Sequence, residues 1–316
     1  MANRARTTCV LFYTALAFLT GSAVAEPAFT PDGKGGYTFD TGVLRGTLSA
    51  EGKSRGLSSV VHVPTGARLD RGAGICSFYR VFTTNRRYGK SAWDWPGTSE
   101  LQPDGAVRIT WPAAEGRPFQ LTAVYRWANE TALDVTITVK AREKLSEFEV
   151  FLASYFDEAF ASPHVFVKAN PDAEGRGGYM LAKKSHGDWL MFPRDRGLVP
   201  LIRDGRWDKE PHPVDWTIMP ELQMPIAYRR GVSAVPMVIL MAPRADCFAM
   251  STPYEGESHY SLYASLFGRD VKAGESATAR TRFVVMAAGR DADILGMYGE
   301  YMKDLTVSRT SRASAP

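Results

Sequence analysis

Cysteine is scarce in this chain. Only Cys9, Cys76 and Cys247 occur in 316 residues, too far apart for any C-x-x-C metal or redox motif. A one-sided charge is missing as well. The formal net charge is +4, with Arg4 and Arg6 supplying two of it at the extreme N-terminus, so there is no electrostatic footprint for nucleic acid. Long apolar runs are absent. The stretch from Cys9 to about Leu19 is too short to span a bilayer, so no membrane span is expected. The chain also lacks βαβ alternation, internal repeats and any linker rich enough to divide it, which argues against a parallel α/β fold.

What is present begins with a leader. Residues 1–25 read as a secretory signal peptide: Arg4 and Arg6 open it, the apolar run follows, and Ala23-Val24-Ala25 forms a small-x-small cleavage site. The mature protein is therefore expected to be secreted or periplasmic. There Cys76 and Cys247 either pair or remain small buried thiols, and spacing leaves both open. Residues 26–305 read as one domain and the Ser/Arg/Ala-rich residues 306–316 as a disordered tail.

Period-two alternation dominates the mature chain. It is clearest in Phe119–Trp127, Ala132–Lys140 and Glu147–Phe156, separated by turn residues, and it resumes at Leu222–Tyr228, Val235–Met241, Cys247–Ser251, Tyr260–Phe267 and Ala277–Met286. One helix is expected over Asp291–Leu305, with Ile294, Leu295, Tyr298, Tyr301, Met302 and Leu305 on a common face. The fold class is all-β: a large antiparallel sandwich with one C-terminal helix.

The most distinctive segment is His186–Trp216. It holds three of the seven tryptophans, Trp189, Trp207 and Trp216, among five aspartates, four arginines and two histidines. Aromatic faces suit the C–H surface of a sugar, and charged groups suit its hydroxyls. A loop with its own small apolar core has the same composition. His186 and Asp188 share a face if the segment is a strand, so the carboxylate would orient the imidazole for proton transfer. Asp204-Gly205 fits a type I′ turn that projects Arg203 and Arg206 beside Trp207 toward a uronate or sulfate, or else makes a plain exposed hairpin. Two of Asp188, Asp204 and Asp215 would serve as acid and base of a glycosidase if they faced one cleft. His212 and Asp215 lack a third ligand at a recognisable spacing, so no metal is expected, and no cofactor motif is present. Glu255, Glu257 and His259 mark a loop that is either a site edge or merely solvated. Tyr79-Arg80, Asn85-Arg86-Arg87-Tyr88 and Trp93-Asp94-Trp95 form a second aromatic and basic group, either the other wall of a sugar cleft or one more packed loop.

Several short stretches resemble the galactose mutarotase-like β-supersandwich superfamily. They are Gly42-Val-Leu-Arg-Gly-Thr-Leu, Leu57–Gly66, Glu149-Val-Phe-Leu-Ala-Ser-Tyr-Phe, Asp246-Cys-Phe-Ala-Met-Ser, the Gly274-Glu275 turn and Thr281-Arg-Phe-Val-Val. The resemblance implies a sandwich fold and a link to sugars. It also implies a departure, because Ala153 stands where the aldose epimerases carry their acid histidine and Ala249 or Met250 where they carry their base glutamate. Alanine and methionine cannot move a proton. The expected function is therefore a secreted carbohydrate-active protein, a polysaccharide hydrolase or lyase, with at least one of Trp189, Trp207 and Trp216 exposed beside ionisable groups. A non-catalytic glycan-binding module and an exported structural or partner-binding protein are the alternatives.

Overall fold

Strand Ala132–Ala141 shows why this sequence forms sheets. Leu133, Val135, Ile137 and Val139 are buried, and Asp134, Thr136, Thr138 and Lys140 take the other face. Complete burial of one such side chain contributes roughly 1.5–3 kcal/mol, so a period of two commits the segment to one orientation. The neighbours Phe119–Asn129 and Ser276–Met286 both pair with it antiparallel, placing Tyr125 and Thr281 on either side of Val135. The structure is a computed structural model that describes residues 26–50, 54–231, 235–287, 289 and 291–313, without the side chains of 291 and 308–313. The expected leader, residues 1–25, lies outside the described residues.

Among the described residues, three sheets result. Nine strands run in the order Gly178–Leu181, Ser162–Val167, Leu222–Arg230, Met237–Met241, Ser276–Met286, Ala132–Ala141, Phe119–Asn129, Val107–Trp111 and Thr98–Leu101. Seven run in the order Thr217–Ile218, Trp189–Pro193, Cys247–Pro253, Ser261–Val271, Leu145–Tyr155, Ser77–Thr83 and Arg86–Arg87. Five short strands between Phe29 and Arg68 make the third. The nine- and seven-stranded sheets share one core, with Trp111, Tyr125, Leu133 and Phe283 from the first and Phe78, Phe148, Leu152 and Leu266 from the second. The Phe78 ring lies 4.7 Å from Trp111 and 6.5 Å from Tyr125, which ties the layers directly. This is an antiparallel β-sandwich, as expected. Its one parallel contact among the described residues joins Trp189–Pro193 to Thr217–Ile218.

The helix packs on the outer face of the nine-stranded sheet. Ile294, Tyr298 and Tyr301 meet Ile226, Tyr228, Ile239, Met241 and Val284, with Met302 and Leu305 alongside. Leu295, expected on the same face, is 37% exposed, because one residue turns the helix about 100° away from the Ile294 line. The helix runs Asp291–Ala313, past Leu305 and through residues expected as a tail, and Thr306 Oγ1 donates to Met302 O at 3.0 Å. Cys76 and Cys247 are both buried and unpaired, and burial pushes each thiol up to about 12.

Candidate functional site

The seven-stranded sheet has a second buried face. On Leu145–Tyr155, Phe148, Val150 and Leu152 enter the inter-sheet core, whereas Phe151, Ala153 and Tyr155 join a separate cluster on the opposite side. Ser261–Val271 repeats the pattern, with Leu262, Ala264 and Leu266 inward and Tyr263 outward. Ser77–Thr83 breaks it. Phe78 and Val81 enter the core, and the two residues between them, Tyr79 and Arg80, both reach the open side. A bulge causes this: Phe151 pairs with Arg80 but Leu152 with Phe78, so one residue of the edge-side strand is extra.

The tryptophan-rich segment folds over this face. The Trp207 ring lies 4.7 Å from Phe151 and 5.2 Å from Trp216, and Trp216 lies 6.0 Å from Trp189. Against this floor opens a cleft with two lobes of about 500 and 360 Å³, joined at Tyr79, Tyr155, His212 and His259. Tyr79 and Trp93 stack at 4.8 Å and 11° on one side of it. Volumes of this size suit a small saccharide.

Ten expected residues meet here: Arg80, Trp189, Trp207, His212, Trp216 and His259, with Tyr79, Arg87, Trp93 and Asp94 of the second aromatic and basic group. The three tryptophans differ in exposure. Trp189 is half-buried, but Trp207 and Trp216 are only 4% and 6% exposed, because Phe82, Phe151 and Tyr263 cover most of their faces. They build the floor, while Trp189 and the Tyr79–Trp93 stack offer ring surface.

The other candidates lie elsewhere. His186 ends a 3-10 turn, Lys184–His186, instead of sitting on a strand, and its Nε2 lies 3.5 Å from Asp172. Asp188 pairs with Lys184 at the surface, so the expected His186–Asp188 couple does not form. Asp204-Gly205 is no hairpin. It links the short helix Val199–Ile202 to a 3-10 turn, Arg206–Asp208, which sends Arg203 to solvent and Arg206 into the protein. Arg206, fully buried, donates to Glu149 Oε2 at 2.9 Å, and its Nε donates to Asp204 Oδ1 at 3.0 Å. Both groups are thereby consumed as an anchor beneath Trp207. Asp215 is exposed and does not line the cleft. Arg86 donates to Gly116 O at 2.8 Å, and Glu255 is held by its backbone to Ala182, both outside the lining. Among the described residues, no group of three or more His, Cys, Asp or Glu converges to hold a metal ion.

The charges around the cleft are unbalanced. Among the described residues, Arg71, Arg80, Arg87 and Lys90 line it, against a single carboxylate, Asp94. Burial, then the neighbouring Arg80 charge, brings Arg87 down to about 10, still cationic at neutral pH. Glu257 fixes His259 twice, accepting from its ring Nδ1 and its backbone N–H, each at 2.8 Å. With Nδ1 as donor, Nε2 is the basic edge of that ring. The Tyr155 ring sits 6.4 Å from His259. Burial, then the Tyr263 and Tyr79 hydroxyls, hold the Tyr155 phenol well above its usual range, so it keeps its proton.

Sequence reasoning missed Arg71, Lys90 and Tyr263 as site residues, and read Tyr155 only as part of a strand motif. Arg71 has no local signal, since Nη1 reaches its partner, the Ser258 carbonyl, across 187 residues at 3.0 Å. Ala153 and Ala249, at the positions implied for an epimerase acid and base, are both fully buried in the floor cluster.

No family model matches the chain, and no curated protein matches it. Solved structures with a similar course of chain include a galactose mutarotase related enzyme from Lactobacillus acidophilus, 9% identical over 81% of this chain and 99% of that one, at a TM-score of 0.49. A heparan sulfate lyase from Pedobacter heparinus is 8% identical over 81% of this chain and 36% of that one, at 0.46. An alpha-N-acetylgalactosaminidase from Bifidobacterium bifidum is 12% identical over 85% and 38%, at 0.47. The chemistry of the cleft rests on its own residues.

Proposed function

We propose that the cleft binds a saccharide and that the protein is a carbohydrate-active enzyme cleaving it by elimination. The observation that carries this reading is the meeting of an aromatic floor with the Glu257–His259 pair and the Tyr155 phenol. His259 Nε2 takes a proton from a carbon acidified by a neighbouring carbonyl, and the electron pair left behind forms the new C=C bond as the adjacent C–O bond breaks. Tyr155, its ring 6.4 Å from that of His259, is the donor to the departing oxygen. Hydrolysis by paired carboxylates has less support. It needs two acids facing one cleft about 5–10 Å apart, and Asp188, Asp204 and Asp215 line none of it. Export is part of the same reading, on Arg4, Arg6 and Ala23-Val24-Ala25.

The test is to incubate Glu26–Pro316 with a panel of neutral, uronate and sulfated polysaccharides and to weigh the fragments. Unsaturated products are expected. Hydrated products would replace elimination with hydrolysis, and binding without fragments would make the protein a glycan-binding module.

A further inference from the structure

Arg80 stands out among the buried cations. It is 3% exposed, its Nη2 donates to Tyr79 Oη at 3.1 Å and to His212 O at 2.8 Å, and its Nε and Nη1 have no hydrogen-bond partner. Its guanidinium lies 4.6 Å from the Tyr79 ring centroid and 5.3 Å from that of Trp207. Apart from Arg117, which leaves only its Nε unpartnered, this fold satisfies its other buried arginines. Glu149 and Asp204 meet Arg206, Asp134 and Asp304 meet Arg282, and Arg229 spends all three nitrogens on carbonyl and hydroxyl oxygens. A buried donor without an acceptor is costly, and more so when charged. At Arg80 that cost is retained on the wall of a cleft. Arg87 adds a second positive charge, with its own Nε unpartnered and its other nitrogens spent on the carbonyls of Lys90, Lys209 and Pro211.

We infer that Arg80, seconded by Arg87, is the receptor for an anionic group on the saccharide, so that the substrate is an acidic glycan. The inference rests on the saccharide reading above and specifies it. An oxyanion at this position gives an unspent N–H of Arg80 an acceptor and relieves the repulsion between the two guanidinium groups. The left-handed backbone of His212, at φ 63°, presents the carbonyl that holds the rest of the Arg80 fork. The shared chemistry is that of a carboxylate or a sulfate ester. A carboxylate would also acidify the adjacent C–H for elimination, its oxygens drawing electron density toward Arg80 while the proton leaves.

Tryptophan fluorescence titrations would use four polymers: polygalacturonate, its carboxyl-reduced form, dextran sulfate and dextran. Tight, salt-sensitive binding of polygalacturonate or dextran sulfate, and weak binding of the two neutral polymers, is the expected result. Which anion binds tells carboxylate from sulfate. Arg80→Met should weaken anionic binding by about 10- to 100-fold, and Arg87→Gln should reduce its salt dependence. Arg86→Ala, outside the lining, should leave binding as it is. Because Arg80→Met removes a buried group, its thermal midpoint is recorded beside it. The salt dependence of the unaltered protein carries the test if that variant unfolds. Equal binding of neutral and anionic polymers would overturn the role of Arg80 while leaving the saccharide reading intact. Binding of none of the four would overturn both.

Discussion

Tyr79 and Arg80 are consecutive, yet both face the same side of one strand, and Arg80 Nη2 donates to Tyr79 Oη at 3.1 Å. An unbroken strand would have sent one of them into the core. The bulge opposite Phe151 and Leu152 re-aims them together, placing an aromatic ring and a cation side by side at the cleft wall.

The aspartates and the histidine that the sequence favoured as catalysts should prove dispensable. Asp188→Asn, Asp215→Asn and His186→Asn are expected to leave saccharide binding and product formation at the unaltered level. As changes of surface or half-exposed groups they should shift stability by only about 0.5 kcal/mol. Initial rates on the best polymer would check this, and a large loss in any of the three would mean the reacting centre lies nearer the Lys184 turn.

Trp189 and Trp216 should separate binding from stability. Trp216→Ala removes a ring packed edge-on against Trp207, Trp189 and Tyr263, and should cost roughly 3–5 kcal/mol in urea unfolding. Trp189→Ala acts on a half-buried ring at the cleft and should lose affinity with a smaller loss of stability. The opposite order would remove Trp189 from the binding surface.

Arg206→Met should be strongly destabilising, about 3–5 kcal/mol near neutral pH, because it leaves Glu149 buried with no cation. Burial already pushes the Glu149 carboxyl up, and removing Arg206 strengthens that shift. A carboxyl raised in the folded state favours folding while it is protonated and loses that advantage as pH rises through its folded value. The penalty in this variant should therefore be small in acid and grow toward neutrality. Urea unfolding at several pH values reads this directly, and a penalty that does not vary with pH would show that Glu149 bears none of it.

Much of the fold was legible because it follows from local periodicity. Leu133, Val135, Ile137 and Val139 announce a half-buried strand, and Ile294, Tyr298 and Tyr301 announce a helix face. The helix end was misread because propensity near residues 306–313 gives no firm stop signal, with neither glycine nor proline there. Trp207 and Trp216 belong to the site region as composition indicated, but their faces went to packing against Phe151 and Phe82, strand residues more than fifty positions away.

By itself the sequence determined the strands, the antiparallel class and the two aromatic, basic segments from which the cleft is made. Only the tertiary structure decided which charges would reach it. Arg206 was drawn down by Glu149 and took Asp204 with it, Asp188 was taken by Lys184, and Arg80 was brought beside Tyr79 by one extra residue in a strand. The reason is physical. Periodicity is set within a few residues, whereas the pairing and desolvation of a charge depend on partners that only the folded chain brings within a few ångströms.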